Sequence, residues 1–386
     1  MKKYIIILYL PIAFLELAVA QEVKKYELKG YFKDLQTVYI PSPDSLPWFS
    51  DNTIENRLQF KYFPYSWLTV DAQTRSRFMY GDFVKNIPGY KDYIDQHSGY
   101  FDMSKVWGYN SSYIAQSEMD RLNVELNLSK WQITLGRQRV NWGMNLIWNP
   151  NDIFNTYSYF NFEYEERPGA DAISMKYYTG TSSFGELVYQ VEDRYEESTF
   201  AGLYRFNTHE YDIQLLAGKM KTDFVAGLGW SGRIGDAAFR GEASYFRSYK
   251  HFADSKGNFI SAISADYAFP NTLYIQGGFL FNSSGSTDNA GSINLFQQQE
   301  MSPKTLSKGK YNLFAQASGQ FTPLIQQSIS VMFNPSDLSV FVSPLVTISI
   351  ANNFDFSLVG LLFTGSKDAE YGNNGQMAYL KFKWSF

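Results

Sequence analysis

The C-terminal stretch "AYLKFKWSF" alternates strictly: Leu380, Phe382, Trp384 and Phe386 share one face, and Tyr379, Lys381, Lys383 and Ser385 the other. A period of two marks a strand with one apolar and one polar side. The same pattern recurs upstream near 354–364, 338–350, 324–333, 310–321, 272–282, 259–269, 238–248, 223–232, 211–219, 199–206, 184–191 and 170–179. It continues at 131–143, 115–129, 66–79, 54–63 and 28–40, so the pattern predicts about 18 strands.

The connections alternate too. Counting strands from the N-terminus, the even-to-odd joints are short: Pro64-Tyr65, Ser129-Lys130, Gly180-Thr181, Asn207 to Glu210, Gly235-Asp236, Pro270-Asn271, Thr322-Pro323 and Asn352-Asn353. The odd-to-even joints include every long stretch, 41–53, 80–114, 144–169, 283–309 and 365–375. Apolar faces rich in bulky aromatics stand opposite faces of Lys, Arg, Glu and Gln. A periplasmic β-sandwich would need the reverse, with polar positions outward and a dry apolar centre. The pattern therefore predicts an all-β, antiparallel transmembrane barrel of about 18 strands (14–18), with short turns in the periplasm and long loops outside.

Composition sharpens this picture. Aromatic residues make up 18% of the chain, beyond the needs of an ordinary core and suited to the girdles at the two lipid–water interfaces. Lys2 and Lys3, the apolar run Ile5 to Leu15 and the small-x-small site Ala18-Val19-Ala20 read as a cleaved secretory signal peptide over 1–20. The mature chain is then a single barrel domain, 21–386, in a Gram-negative outer membrane. Cysteine is absent, which removes disulfides and a lipid-attachment thiol. A formal net charge of −4 argues against nucleic acid as a partner.

The polar faces of a barrel this wide line a water-filled channel. On 54–63 that face reads Arg57, Gln59 and Lys61. On 66–79 it reads Asp71, Gln73, Arg75 and Arg77, and on 115–129 Arg121, Asn123, Glu125 and Asn127. The next strand sets a puzzle. Pairing across Ser129-Lys130 puts Trp131, Ile133 and Leu135 in lipid, and strict alternation would send Arg137 after them. An arginine there costs about 2–4 kcal/mol at the bilayer midplane. A β-bulge at Gly136-Arg137 would turn Arg137, Arg139 and Asn141 into the lumen and Trp142 outward, toward the outer interface. The stripe then holds seven cations (Arg57, Lys61, Arg75, Arg77, Arg121, Arg137 and Arg139) against Asp71 and Glu125. Such a ladder attracts anions and sets pore selectivity, or it neutralises itself and stiffens the wall.

The loop that follows carries Trp148, Asn149 and Asp152, then Tyr157, Tyr159, Phe160, Phe162 and Tyr164. So aromatic a loop is expected to fold into the pore as a constriction, to dock a partner, or to pack on neighbouring loops. Stacked rings in a pore would suit sugars.

"GRQRVNWG" followed by "NPND" resembles a Gly-Arg-Gln, Trp-Gly, Asn-Pro-x-Asp pattern of porin-like outer-membrane families, among them alginate-export-like barrels, a family of uncharacterised barrels and, more faintly, a capsule-assembly barrel. The matching residues are Gly136, Arg137, Gln138, Trp142, Gly143, Asn149, Pro150 and Asp152. The terminal Phe386 is similar to the C-terminal aromatic of bacterial outer-membrane proteins. This resemblance implies a partner in the barrel-assembly machinery, with Phe386 as the assembly signal.

Catalytic motifs are missing. The sequence has three histidines, and no Gly-x-Ser-x-Gly elbow, His-Glu-x-x-His or phosphate loop. His209 with Glu210 and Asp212 reads as a solvated turn before it reads as a metal site. No cofactor or metal is expected. The partners expected are outer-membrane lipid and small polar solutes. The functional expectation is a diffusion channel for small hydrophilic solutes, anionic or sugar-like; the alternative is an accessory barrel of a larger surface assembly or polysaccharide-export system.

Overall fold

Backbone groups facing hydrocarbon must find their hydrogen bonds within the protein, so a membrane-crossing sheet has to close on itself. The computed structural model describes residues 25–42, 47–95, 99–161, 166–293 and 301–386 and shows this closure. The leader predicted over 1–20 lies outside the described residues.

The first strands are β1 (Tyr26–Ile40), β2 (Phe49–Tyr65) and β3 (Leu68–Gly81), followed by helices α1 (Asp82–Asn86) and α2 (Tyr90–Ile94). Then come β4 (Ser104–Tyr109), β5 (Tyr113–Leu128), β6 (Trp131–Gln138), β7 (Ala170–Tyr178), β8 (Phe184–Gln190), β9 (Thr199–Thr208) and β10 (Tyr211–Met220). The series continues with β11 (Asp223–Ile234), β12 (Ala237–Ser248), β13 (Asn258–Ala268), β14 (Tyr274–Asn282) and β15 (Tyr311–Thr322). It ends with β16 (Ile325–Asn334), β17 (Ser339–Ala351), β18 (Phe354–Thr364) and β19 (Gln376–Ser385). All pairings are antiparallel, and β1 bonds both β2 and β19, so the sheet closes into the all-β barrel of 18 strands that the alternation predicts. The short strand β4 is extra to this ring and lies on β5.

Burial alternates along the wall as the pattern requires. In β11, Phe224, Ala226 and Leu228 are exposed outward, while Asp223, Val225 and Gly229 are buried on the inner side. Aromatics belt the outer surface near the short turns, including Tyr62, Tyr65, Trp67, Trp131 and Trp384. Such rings belong at the lipid–water boundary.

The expected bulge at Gly136 is absent. The β5–β6 ladder runs without a shift, with Leu122 opposite Arg137 and Asn123 opposite Gly136. The irregularity falls instead between β3 and β5, where Gln73 faces Arg121 but Thr74 faces Met119. Asp120 is the extra residue. Gly136 contributes differently: at a φ of +111°, a Cβ there would lie 2.3 Å from the Leu122 carbonyl oxygen. Glycine permits both the angle and the approach.

The strand expected over 131–143 stops at Gln138. Beyond it the chain turns into the barrel, and β4 takes over the vacated edge of β5 by pairing Ser104 with Glu118 and Tyr109 with Ile114. Trp142, expected outward, is 1% exposed inside.

The last residue completes the seam. Phe386 exchanges two backbone hydrogen bonds with Gly30, at 2.9 and 3.0 Å, and its ring lies 5.2 Å from Trp384 and 6.1 Å from Phe32. Deleting Phe386 removes both bonds from the joint between the first and last strands. The expected outcome is a marked loss of the compact, heat-modifiable barrel band on unheated gels, with export unchanged; a normal yield of folded barrel would contradict it.

Candidate pore and its constriction

Charges on the inner wall need partners, because their neighbours are other wall residues rather than bulk water. On β1, β2, β3 and β5 they have them. Glu55 lies fully buried and accepts from Lys33 (3.1 Å), the Arg75 guanidinium (2.6 Å) and the Tyr31 hydroxyl (2.8 Å). Arg75 also reaches Glu118 at 3.3 Å. Arg57, likewise fully buried, pairs with the bulge residue Asp120 at 2.7 Å and with Glu166 at 3.5 Å. Arg77 donates to Gln116. Arg121 donates to the carbonyls of Asp120 and Arg167.

Four of the predicted cations, Arg57, Arg75, Arg77 and Arg121, thus enter one network with acids and amides that the sequence-based reading missed. Lys61 and Glu125 lie nearer the short turns and outside it, while Asp71 joins it through Gln73, which accepts from Arg57 at 2.8 Å. Lys61 faces Asp71 in register, Asp71 accepts from Gln73 at 3.1 Å, and Glu125 accepts from Asn127 at 2.8 Å.

Arg137 takes another route. It stands directly opposite Asp171 on β7, one step along the face that carries the exposed pair Leu135 and Ile173. Both Arg137 and Asp171 are buried, joined by two hydrogen bonds of 2.8 Å. Loop residues cover them: Phe101 donates its N–H to Asp171 at 2.9 Å and accepts from Arg137 through its carbonyl. A carboxylate and a covering loop thus solve the problem for which a bulge was expected. Arg139, one residue past the strand, is exposed and makes no ion pair or hydrogen bond among the described residues. The charges acting on it come from Arg167, Asp152 and Arg121.

Residues 139–161 and 166–169 fold inward. Of the three expectations for this aromatic loop, the constriction describes its course, and it packs on the inner wall. Trp142 donates its indole N–H to Glu186 on β8 at 3.1 Å, and its carbonyl accepts from Gln214 on β10 at 2.8 Å. The chief anchor is Glu242 on β12, which is fully buried. Its carboxylate accepts the backbone N–H groups of Met144, of Asn145 at 2.7 Å and of Asn151 at 2.9 Å. Ser244 donates to the Pro150 carbonyl at 3.1 Å and to Asn151 at 2.7 Å. Asp152 is held by Arg167 at 2.9 Å, yet burial pushes its carboxyl up to about 6.

Past this turn the loop spans to the far wall. Trp148 meets Phe314 edge-on at 6.3 Å, Tyr159 meets Phe314 at 5.6 Å, and Phe160 meets Phe341 at 5.0 Å and Tyr371 at 6.0 Å. Phe162 and Tyr164 lie outside the described residues.

The matching residues of the motif each have a physical task. Gly143 makes room for Asn149, whose amide oxygen would stand 2.4 Å from a Cβ there. Gln138 ties the carbonyls of Thr134 (3.0 Å) and Ala172 (2.9 Å) together where β6 ends. Asn149 accepts the Asp152 N–H at 3.1 Å and closes the polar turn. The wall sockets Glu186, Gln214, Glu242, Ser244 and Asp171 were invisible beforehand. The available signal was weak: an acid on the inner face of a strand otherwise lined by small residues, as in "RGEAS".

Below the constriction, the inner face of β15, β16 and β17 is neutral. Gln316, Ser318, Gln320, Gln326, Ser328 and Thr347 line a cavity of about 480 Å³ at the short-turn end of β15, β16 and β17. Channel water there meets amides and hydroxyls.

A closed antiparallel barrel with an apolar outer face, a polar lumen and an inward loop is a barrel of outer-membrane type. The crystal structures it resembles include OccAB2 of Acinetobacter baumannii, with a TM-score of 0.61 at 8% identity, covering 94% of this chain and 98% of that one. OccAB3 of the same organism gives 0.60 at 9% identity over 94% and 100% of the two chains. OpdQ of Pseudomonas aeruginosa gives 0.59 at 8% over 94% and 99%. At such identities the likeness is one of fold. No protein-family model and no curated protein matches the sequence.

Two substitutions test this geometry. Glu242→Ala strips three loop N–H groups of their acceptor, each bond to a charged group being worth roughly 1.5–3 kcal/mol. A larger, noisier single-channel current through an intact barrel is expected, measured in planar bilayers; an unchanged current would show that the loop does not depend on this anchor. Arg137→Ala leaves Asp171 buried without its cation, and urea titration of the folded barrel in micelles should show a loss of about 3–5 kcal/mol.

Proposed function

We propose that this chain is an outer-membrane channel for passive diffusion of small hydrophilic solutes, anionic or sugar-like, exported with residues 1–20 as a cleaved leader and inserted with its long loops outward. The observation that carries the reading is the closed 18-strand barrel whose own loop residues 139–161 narrow a polar lumen. A self-supplied constriction tunes passage while leaving the barrel intact.

Selectivity in this reading falls to Arg139, which makes no ion pair among the described residues. Three arginines of the stripe, Arg75, Arg57 and Arg137, are neutralised by Glu55, Asp120 and Asp171, which supports a stiffening role for them. Arg139 stands exposed at the root of the constriction, in the field of Arg167, Asp152 and Arg121, two cations against one acid. It attracts anions, while the neutral wall of Gln316, Ser318 and Thr347 offers hydrogen bonds to hydroxyl-rich solutes.

The test is reversal potential in a salt gradient across a planar bilayer. Arg139→Glu should move it toward cations with the fold intact, and the shift should shrink near 1 M salt, where the Debye length is about 3 Å. An unchanged potential would remove Arg139 from the selectivity filter. Absence of any conductance in the unaltered protein would overturn the channel.

A further inference from the structure

On the outer surface at the long-loop end, the strand register sets a row of four side chains. Phe200 on β9 faces Lys219 on β10, Lys219 faces Phe224 on β11, and Phe224 faces Arg247 on β12. All four point away from the lumen: Phe200 and Phe224 are 50% and 53% exposed, while Val225 and Phe246, one position along, are buried inside. Aromatic, cation, aromatic and cation thus alternate across the wall where hydrocarbon gives way to headgroups.

More rings close around the cations. Arg247 lies 4.4 Å over Phe252, and Lys219 lies 4.9 Å from the Tyr195 ring and 5.5 Å from that of Tyr249. Phe224 packs between Tyr249 (6.1 Å) and Phe252 (6.3 Å).

Neither cation forms an ion pair among the described residues, although Glu196 lies within electrostatic reach of Lys219. Arg247 makes no ion pair or hydrogen bond among the described residues, and its Nε is buried without a partner. Lys219 donates only to the Tyr195 carbonyl, at 3.2 Å. The nearby acids are already engaged, Glu196 with Lys250 at 2.6 Å and Glu197 with Arg194. An outward arginine at this depth is tolerated at low cost only near the interface, and it calls for an anion from the lipid side.

We propose that Lys219 and Arg247 bind the phosphate of a phosphorylated glycolipid in the outer leaflet, with Phe200, Phe224 and Phe252 seated against its acyl chains and sugar. Adjacent strands lie about 4.8 Å apart, so the two cations stand about 10 Å apart across Phe224 and can converge on one phosphate. Arginine's fork and the ammonium of lysine are the groups that recognise such an anion. The inference rests on the channel reading only for which leaflet meets this rim.

The test uses the full chain folded into phosphatidylcholine vesicles that contain bisphosphorylated lipid A, dephosphorylated lipid A or neither, with a further arm of inorganic phosphate in solution. The urea midpoint of the unaltered protein should rise with the bisphosphorylated lipid alone. In the double variant Lys219→Gln, Arg247→Gln, half-maximal stabilisation should need about 30-fold more of that lipid, with conductance unchanged. If the double variant does not fold, Lys219→Gln alone should show about a fivefold loss. An equal rise with dephosphorylated lipid, an equal rise with inorganic phosphate, or full stabilisation of the variants overturns the site. Failure of the unaltered protein to conduct would sink the channel proposal and leave the lipid result standing.

Discussion

The structure depends on one constraint: a sheet in hydrocarbon cannot leave an edge unpaired. Three features of this barrel show how such edges are handled. Where β6 turns inward after Gln138, β4 pairs with the exposed stretch of β5. Where first and last strands meet, Phe386 extends the seam by two backbone bonds to Gly30. The bulge at Asp120 adds a residue without opening the ladder and brings a carboxylate to Arg57.

An inward loop faces the same constraint in another form. Its backbone leaves water, so its N–H groups need acceptors from the wall. Glu242 supplies one carboxylate for three of them, and in a narrow lumen a charge-assisted bond is stronger than a neutral one. The aromatic half of the loop rests its rings on the apolar shelf of Phe314, Phe341 and Tyr371, and Phe160 donates its N–H to Ser158 within the loop itself. Polar anchors on one side and ring contacts on the other hold the loop across the barrel.

The charged stripe shows how a face can be read correctly and its sign misjudged. Counting seven cations against two acids implied a surplus. Glu55, Glu118 and Asp171 balance most of it, two of them from strand ends that the pattern left unassigned or undervalued. Arg137 and Arg139 stand two residues apart and looked alike in sequence. One is locked beneath Phe101 against Asp171, and the other is left open at the mouth of the constriction.

The sequence by itself determined the strands, their lumen and lipid faces, the alternation of short and long connections, and hence a barrel of 18 strands. These are local properties: a two-residue period and a turn need only neighbours along the chain. It also marked "GRQRVNWG" with "NPND" as special without revealing why. Only the tertiary structure decided that β6 ends at Gln138, that Trp142 turns inward to Glu186, and that Asp171 neutralises Arg137. Those outcomes join residues 34 to 44 positions apart in the chain, and no local pattern encodes which distant strand will present the matching group at the matching height. Closure of the barrel fixes that height, because it sets the register of every strand at once.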